Sequence, residues 1–181
     1  MLYGIRLALC LILLYPAMNA HSAESSIDVG DIPPDFLGKN SNGDKVLISD
    51  HRGKVVVVSF FATWCPQCRK EIPMLARIQE VAGPDKLTVI AIDYEEDRAI
   101  VSRVRKMFKD YGLTFTHDTS GKIGKSFGVN GIPHMVIVGA DGKVAAKHVG
   151  YGENSLQAII DDINRIYRES HSAVGSTTTS K

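Results

Sequence analysis

Two cysteines carry the most evident chemistry in this sequence. Cys65 and Cys68 stand in the run Trp-Cys-Pro-Gln-Cys, which follows a valine-rich segment where the pattern changes from strand to helix. On a helix, residues three apart lie on one face, close enough for a disulfide to close without backbone movement. The spacing therefore predicts a pair that alternates between dithiol and disulfide.

The position of Cys65 indicates which thiol reacts first. It falls near the start of the helix, where unpaired backbone N–H groups and the positive end of the dipole favour a thiolate. Such surroundings lower a cysteine pKa from about 8.5 to roughly 3.5–7.5. We expect Cys65 to attack and Cys68 to resolve the mixed disulfide. The redox-active Cys65–Cys68 disulfide then needs no further cofactor.

Residues 1–22 are typical of a secretory signal peptide. Arg6 precedes an apolar stretch from Leu7 to Tyr15, and a region of small residues follows. The stretch is shorter than the roughly 20 residues of a membrane-spanning helix, so an uncleaved anchor is the less favoured alternative. Cleavage removes Cys10, which lies in this stretch. The sequence therefore predicts an exported protein of the periplasm.

Composition indicates one domain and excludes one class of partner. At 181 residues with 44% hydrophobic content, the chain can bury one sizeable core, which we place at residues 23–169. The serine- and threonine-rich residues 170–181 are predicted to be a disordered tail. The formal charge of 21 − 20 = +1 gives no sign of nucleic-acid binding. We expect a monomer.

Strand and helix patterns alternate along the mature chain. The predicted elements are a hairpin at 36–49, a strand at 55–61, a helix at 66–82, a strand at 87–93, a crossover helix at 100–111, a helical turn at 120–127, a hairpin at 135–149 and a helix after Asn154. This order predicts an α/β sandwich with parallel central strands and a final antiparallel hairpin. With a CxxC, it favours a thioredoxin-like fold, a central mixed β-sheet flanked by helices with an N-terminal β-hairpin extension.

Two segments carry a family resemblance. They are Phe60–Pro73, which contains the dithiol, and the tripeptide Gly131, Ile132, Pro133. Both resemble the TlpA, ResA and CcmG group of exported thioredoxin-like proteins. The resemblance implies a reductant of client proteins with cysteines or disulfides, of the cytochrome c maturation or copper and oxidase assembly type. It also implies recharging by a membrane thiol reductase of the DsbD or CcdA type.

The resemblance implies roles for residues around the dithiol. Glu71, one helical turn after Cys68, matches a glutamate implicated in proton transfer, although a first-turn acid also complements the helix dipole. In an apolar pocket its carboxyl would have a raised pKa. Pro133 is expected to be cis and to expose the Ile132 backbone to a client peptide. Trp64 is expected to offer apolar contact surface, or to be a core aromatic residue.

Three further residues affect what the family resemblance implies about the site. Gln67 stands where the family most often has proline, which leaves the redox potential open. Ser59 stands where thioredoxin carries a buried acid, so Glu71 becomes the candidate proton carrier. His134 follows the expected cis-proline and is a candidate for contact with the dithiol or a partner.

Two other functions fit the cysteine pair. One is a disulfide-introducing oxidase, which differs from a reductant only in the direction of electron flow. The other is a chaperone that binds Cu(I) through soft thiolates and a histidine. Copper-binding factors of this fold generally space their cysteines by three residues, whereas two residues separate Cys65 from Cys68. We therefore expect no metal site.

Overall fold

The computed structural model of the protein describes residues 27–97, 99, 102–103, 106 and 109–175. The predicted signal peptide, with Cys10, lies outside these residues. The elements in the described part of the chain are β1 Phe36–Lys39, β2 Lys45–Leu47, a 3-10 turn Ile48–His51, β3 Val55–Phe61, α1 Cys68–Ala82, β4 Leu87–Tyr94, a 3-10 turn Lys109–Tyr111, β5 Thr114–Asp118, α2 Lys122–Ser126, β6 His134–Val138, β7 Val144–Val149 and α3 Ser155–Gly175.

The central strand is β3, and its apolar run explains its place. The sheet has the order β5-β4-β3-β6-β7, with β3 parallel to β4 and antiparallel to β6. Every residue of β3 is buried, as expected for a strand that is covered on both faces. Val58 and Phe60 belong to the core on one face, and Val57 and Phe61 belong to the core on the other. This alternation lets one strand contribute to both layers.

Helices and the N-terminal hairpin cover the two faces of the sheet. The hairpin β1-β2 contributes Leu37 and Val46 to one core, together with Phe127 from the end of α2. On the other face, Leu75 from α1 and Ile159 from α3 pack in a second core. The mixed five-stranded sheet, the flanking helices and the small hairpin sheet confirm the thioredoxin-like α/β fold.

Strand β5 was not among the predicted elements. It lies parallel to β4 at one edge of the sheet, and its sequence, Thr-Phe-Thr-His-Asp, has too few apolar residues to mark a buried strand. Thr116 is nevertheless fully buried. Its hydroxyl is satisfied there because it donates a 2.5 Å hydrogen bond to the carbonyl oxygen of Leu37 in β1. The hairpin thus covers the edge and supplies a partner that lies 79 positions away in the chain.

The last helix extends farther than predicted. It begins at Ser155, directly after Asn154, and continues to Gly175, so residues 170–175 are helical rather than part of a disordered tail. Extending an existing helix costs less than nucleating one, and the Ser170 hydroxyl donates to the carbonyl oxygen of Ile166 one turn earlier. Residues 176–181 lie outside the described residues.

The predicted crossover helix is described only in part. Ser102, Arg103 and Lys106 are helical. The helix was predicted from an apolar stripe of Ile100, Val104, Met107, Phe108 and Tyr111. The first four of these residues lie outside the described residues, and Tyr111 belongs to the 3-10 turn Lys109–Tyr111. Gly112, which directly follows the predicted helix, has a φ of 69°, the left-handed conformation common after a helix. No helix in the described part of the chain is long and apolar enough to cross a membrane.

Candidate active site

The two cysteines lie where β3 passes into α1. They form a disulfide with their Cα atoms 5.3 Å apart, and both are buried, with Cys65 2% exposed and Cys68 0%. Cys68 is the first residue of α1, so its backbone N–H has no partner within the helix. That N–H lies 3.2 Å from the Sγ atom of Cys65. The predicted position of Cys65 at a helix N-terminus is confirmed.

Two oxygen atoms approach the Cys65 sulfur, one from within the cysteine motif and one from a distant segment. The carbonyl oxygen of Ile132 and the side-chain oxygen of Gln67 each lie 3.9 Å from Sγ. The Ile132–Pro133 peptide bond is cis, as predicted. The segment after α2 therefore contacts the dithiol, although Ile132 lies 67 residues after Cys65 in the sequence. Trp64 is 66% exposed, which excludes the alternative of a core aromatic residue.

Glu71 is buried on the first turn of α1, on the face that carries Cys68. It is 1% exposed, and the hydroxyl of Ser59 in β3 donates a 2.6 Å hydrogen bond to Oε1. Burial raises the pKa of Glu71 to about 7, although the hydrogen bond from Ser59 opposes this. The burial of Glu71 and its raised pKa agree with the expectation. Ser59, in the place of thioredoxin's buried acid, now holds this carboxyl.

His134 lies away from the dithiol. Its ring is 6.2 Å from that of Phe60, edge to face, and Phe60 belongs to the core cluster on the opposite face of the sheet from the cysteines. Burial and the charge of Lys147 lower the pKa of His134. The residue follows the cis-proline in sequence, but strand alternation in β6 directs it to the other layer. The expectation of contact with the dithiol was wrong.

Two acidic residues of the site, Glu96 and Asp93, were not predicted from the sequence. Glu96, just after β4, accepts hydrogen bonds from the backbone N–H of Thr63 at 2.5 Å and from its hydroxyl at 2.7 Å. Asp93 in β4 is fully buried beside them. An acid that ends a buried strand parallel to the cysteine-bearing one was the available signal, because the carboxyl ends of parallel strands share one edge. The described residues contain no cluster of histidine, cysteine and acidic side chains that could hold a metal.

Comparisons with known proteins agree with this geometry. A family model for Redoxin matches residues 28–162. The thioredoxin-like protein YneN of Bacillus subtilis is 34% identical over 129 residues, which cover 70% of this chain and 75% of YneN. The thiol-disulfide oxidoreductase ResA of Bacillus subtilis is 30% identical over 156 residues, 84% of this chain and 86% of ResA.

A solved structure extends the comparison to the fold. A Chlorobium tepidum protein, assigned as the thiol:disulfide interchange protein DsbE, has a TM-score of 0.68 and 28% identity, covering 78% of this chain and 99% of that one. The matches span the region that holds both the dithiol and the cis-proline segment. The chain belongs to the Redoxin family and is a thioredoxin-like thiol-disulfide oxidoreductase of the ResA and DsbE type.

Proposed function

We propose that this protein is an exported reductant of disulfides in client proteins. The observation that carries the thiol–disulfide exchange in this proposal is the backbone N–H of Cys68, which lies 3.2 Å from the Cys65 sulfur and would stabilise a thiolate there. The amino-terminal 22 residues would act as the signal peptide and direct the chain to the periplasm. The similarity to ResA supports the choice of chemistry.

In the first step, the Cys65 thiolate attacks one sulfur of a client disulfide. A bond forms between Cys65 and the client, the client disulfide breaks, and one client sulfur leaves as a thiolate that takes a proton from solvent. In the second step, the Cys68 thiolate attacks the Cys65 sulfur and releases the second client thiolate. The client gains two electrons, and the Cys65–Cys68 disulfide of the present structure is the product.

Glu71 is suited to take the proton that Cys68 must lose. It lies one helical turn after Cys68, and with a pKa of about 7 it exists in both protonation states near neutral pH. A general base is most effective when its pKa lies near the working pH. Ser59 keeps one carboxyl oxygen in place. We therefore assign to Glu71 the proton transfer of the resolving step.

Client recognition would take place on the exposed rim of the dithiol. The carbonyl oxygen of Ile132, next to the Cys65 sulfur and preceding cis-Pro133, can accept a hydrogen bond from the backbone N–H of a client peptide. Trp64 offers apolar surface on the exposed side. Since main-chain bonds carry little side-chain selectivity, the clients are defined by an accessible disulfide.

The place of the protein in the cell follows from the same chemistry. Each turnover leaves a disulfide that a second thiol system must reduce, and we propose a membrane thiol reductase of the DsbD or CcdA type. Apocytochrome c or a copper-delivery protein of oxidase assembly is the proposed client class. We propose that the protein acts as a monomer.

A mixed-disulfide trap tests the function. Cys68→Ser, expressed in the native host, retains the attacking thiol and cannot resolve, so it should accumulate disulfide-linked clients that mass spectrometry identifies. The matched control, Cys65→Ser with Cys68 intact, should trap far less, because the buried resolving thiol meets no client. Absence of any trapped protein would contradict the proposal.

A redox equilibrium tests the direction. After incubation with glutathione buffers, the fraction of oxidised protein gives the potential of the cysteine pair. A reductant requires a potential well below the value of about −120 mV found for the oxidase DsbA. A measured potential near that of DsbA would replace the reductant with a disulfide-introducing oxidase.

A further inference from the structure

A carboxylate from the neighbouring strand holds the loop that carries Cys65. Glu96 accepts both hydrogen bonds that Thr63 can donate, one from the backbone N–H and one from the hydroxyl. Thr63 stands two residues before Cys65, and the Cys65 N–H donates to the carbonyl oxygen of Ala62 at 3.2 Å. The attacking cysteine is thus connected to Glu96 through one short turn of chain.

The backbone after β4 is shaped to direct Glu96 to this position. Glu95 has a φ of 59°, in the left-handed region that non-glycine residues rarely adopt, and its N–H donates to the carbonyl oxygen of Asp118 at 3.1 Å. This turn carries the chain back toward the end of β3. Glu96 is therefore 7% exposed and bonded to Thr63, whereas an acid in a surface turn is ordinarily hydrated.

Asp93 is buried beside Glu96 with no hydrogen bond to stabilise a charge. It is 0% exposed, and neither carboxyl oxygen has a hydrogen-bond partner among the described residues. Burial, and then the neighbouring Glu96, raise the pKa of Asp93 to about 8. Burial opposes ionisation of Glu96 as well, yet the contact with Asp93 and the two bonds from Thr63 lower the pKa of Glu96. At neutral pH the pair holds one proton, and Asp93 carries it.

Other titratable groups near the dithiol do not hold the loop that precedes Cys65. Among the described residues, the face of the sheet that carries the cysteines also receives Glu71 from α1, and His117 of β5 is aligned with Asp93. Glu71 is bonded to Ser59, not to the loop before Cys65. The Thr63 donors are both directed to Glu96.

We propose that Glu96 is a positioning residue for the dithiol: its carboxylate holds Thr63, and so keeps Cys65 at the start of α1. The proton on Asp93 supports this arrangement, because it lets Glu96 stay ionised. The proposal rests on the proposed function only in taking Cys65 as the attacking thiol. In alkaline solution Asp93 loses its proton, two adjacent anions repel each other, and the hold on Thr63 weakens. Glu96 does not touch the reacting sulfur and acts through the loop.

Alkylation of Cys65 measures this positioning without any client. The reduced protein is treated with iodoacetamide between pH 5 and 9, and the rate is followed on the peptide that contains Cys65 by mass spectrometry. Glu96→Gln should lower the rate at pH 7 about tenfold, as expected for loss of a hydrogen bond to a charged group. Asp97→Asn, which removes the exposed charge directly after Glu96, should leave the rate unchanged.

Two further variants separate positioning from a general effect on stability. Thr63→Val removes the hydroxyl donor, and its effect on the alkylation rate should not add to that of Glu96→Gln, because both remove one interaction. The wild type should lose Cys65 reactivity above pH 8, and Asp93→Asn should abolish this decline. Additive effects, or an alkaline decline that persists in Asp93→Asn, would overturn the proposal.

A measurement on the wild-type protein tests the proposal even if Glu96→Gln does not fold. Carbon-13 NMR of the side-chain carboxyls should show Asp93 titrating near pH 8 and Glu96 titrating below 4.5. If both carboxyls titrate below pH 5, the shared proton is absent and the proposal is refuted. If the alkylation results hold but no client disulfide is reduced, the proposed function fails and the positioning role stands.

Discussion

Replacing Glu71 with glutamine should make the protein more stable in neutral and alkaline solution. Glutamine has nearly the same volume, and its carbonyl oxygen can keep the hydrogen bond that Ser59 donates to Oε1. The substitution therefore removes the ability to ionise while the packing of a side chain that is 1% exposed stays in place. Glu71→Gln thereby removes the free-energy cost of holding a charged carboxylate in the protein interior.

The magnitude follows from the pKa of Glu71. An acid whose pKa is raised from 4.5 to about 7 by folding binds more protons in the folded than in the unfolded state between these values. The free energy of unfolding therefore falls as the pH rises through that window. The difference corresponds to about 3 kcal/mol, at 1.36 kcal/mol for each pH unit. Glu71→Gln lacks this loss, so its free energy of unfolding relative to wild type should rise by about 3 kcal/mol between pH 4.5 and pH 8.

Urea unfolding of the oxidised protein, followed by far-ultraviolet circular dichroism, gives the free energy at each pH. The oxidised form is chosen because Cys65 and Cys68 do not titrate in a disulfide. Ionisation of Asp93 also lowers the free energy of unfolding as the pH rises. This effect is the same in wild type and Glu71→Gln, so it cancels in the difference between the two proteins. Glu80→Gln is the matched control, since Glu80 is exposed on the same helix.

One result would refute the reasoning. If the difference in unfolding free energy between Glu71→Gln and wild type stays constant from pH 4.5 to 8, then Glu71 carries no buried charge. The proton transfer assigned to Glu71 would lose its physical basis, whereas the roles of the two cysteines would not be affected.

Two more substitutions test the surroundings of the site. Ser59→Ala removes the one hydrogen bond that opposes the effect of burial, so carbon-13 NMR should show the pKa of Glu71 rising above about 7. Gly124→Ala places a Cβ atom 2.3 Å from the Tyr94 ring and should destabilise the protein by about 1–3 kcal/mol. A lowered Tm would show this, with Gly152→Ala as the control because its Cβ would meet no atom within 4 Å.

Sequence patterns predicted the elements whose residues carry their own signal. The six apolar residues of β3 mark a strand that is covered on both faces, and Gly83 marks the end of α1. Strand β5 was not predicted because its burial depends on Thr116 and on a distant carbonyl oxygen in β1. His134 was misplaced because adjacency to Pro133 in sequence does not specify the face of a strand to which a side chain points.

The sequence alone determined the reactive pair and its chemistry, because the spacing of Cys65 and Cys68 and the start of a helix are local properties of a few residues. Only the tertiary structure decided how the protons around that pair are held. Ser59 lies beside Glu71, and Glu96 beside Thr63, after strands and a helix have packed. A pKa depends on burial and on charges within a few ångströms, and these are set by the packing of distant segments.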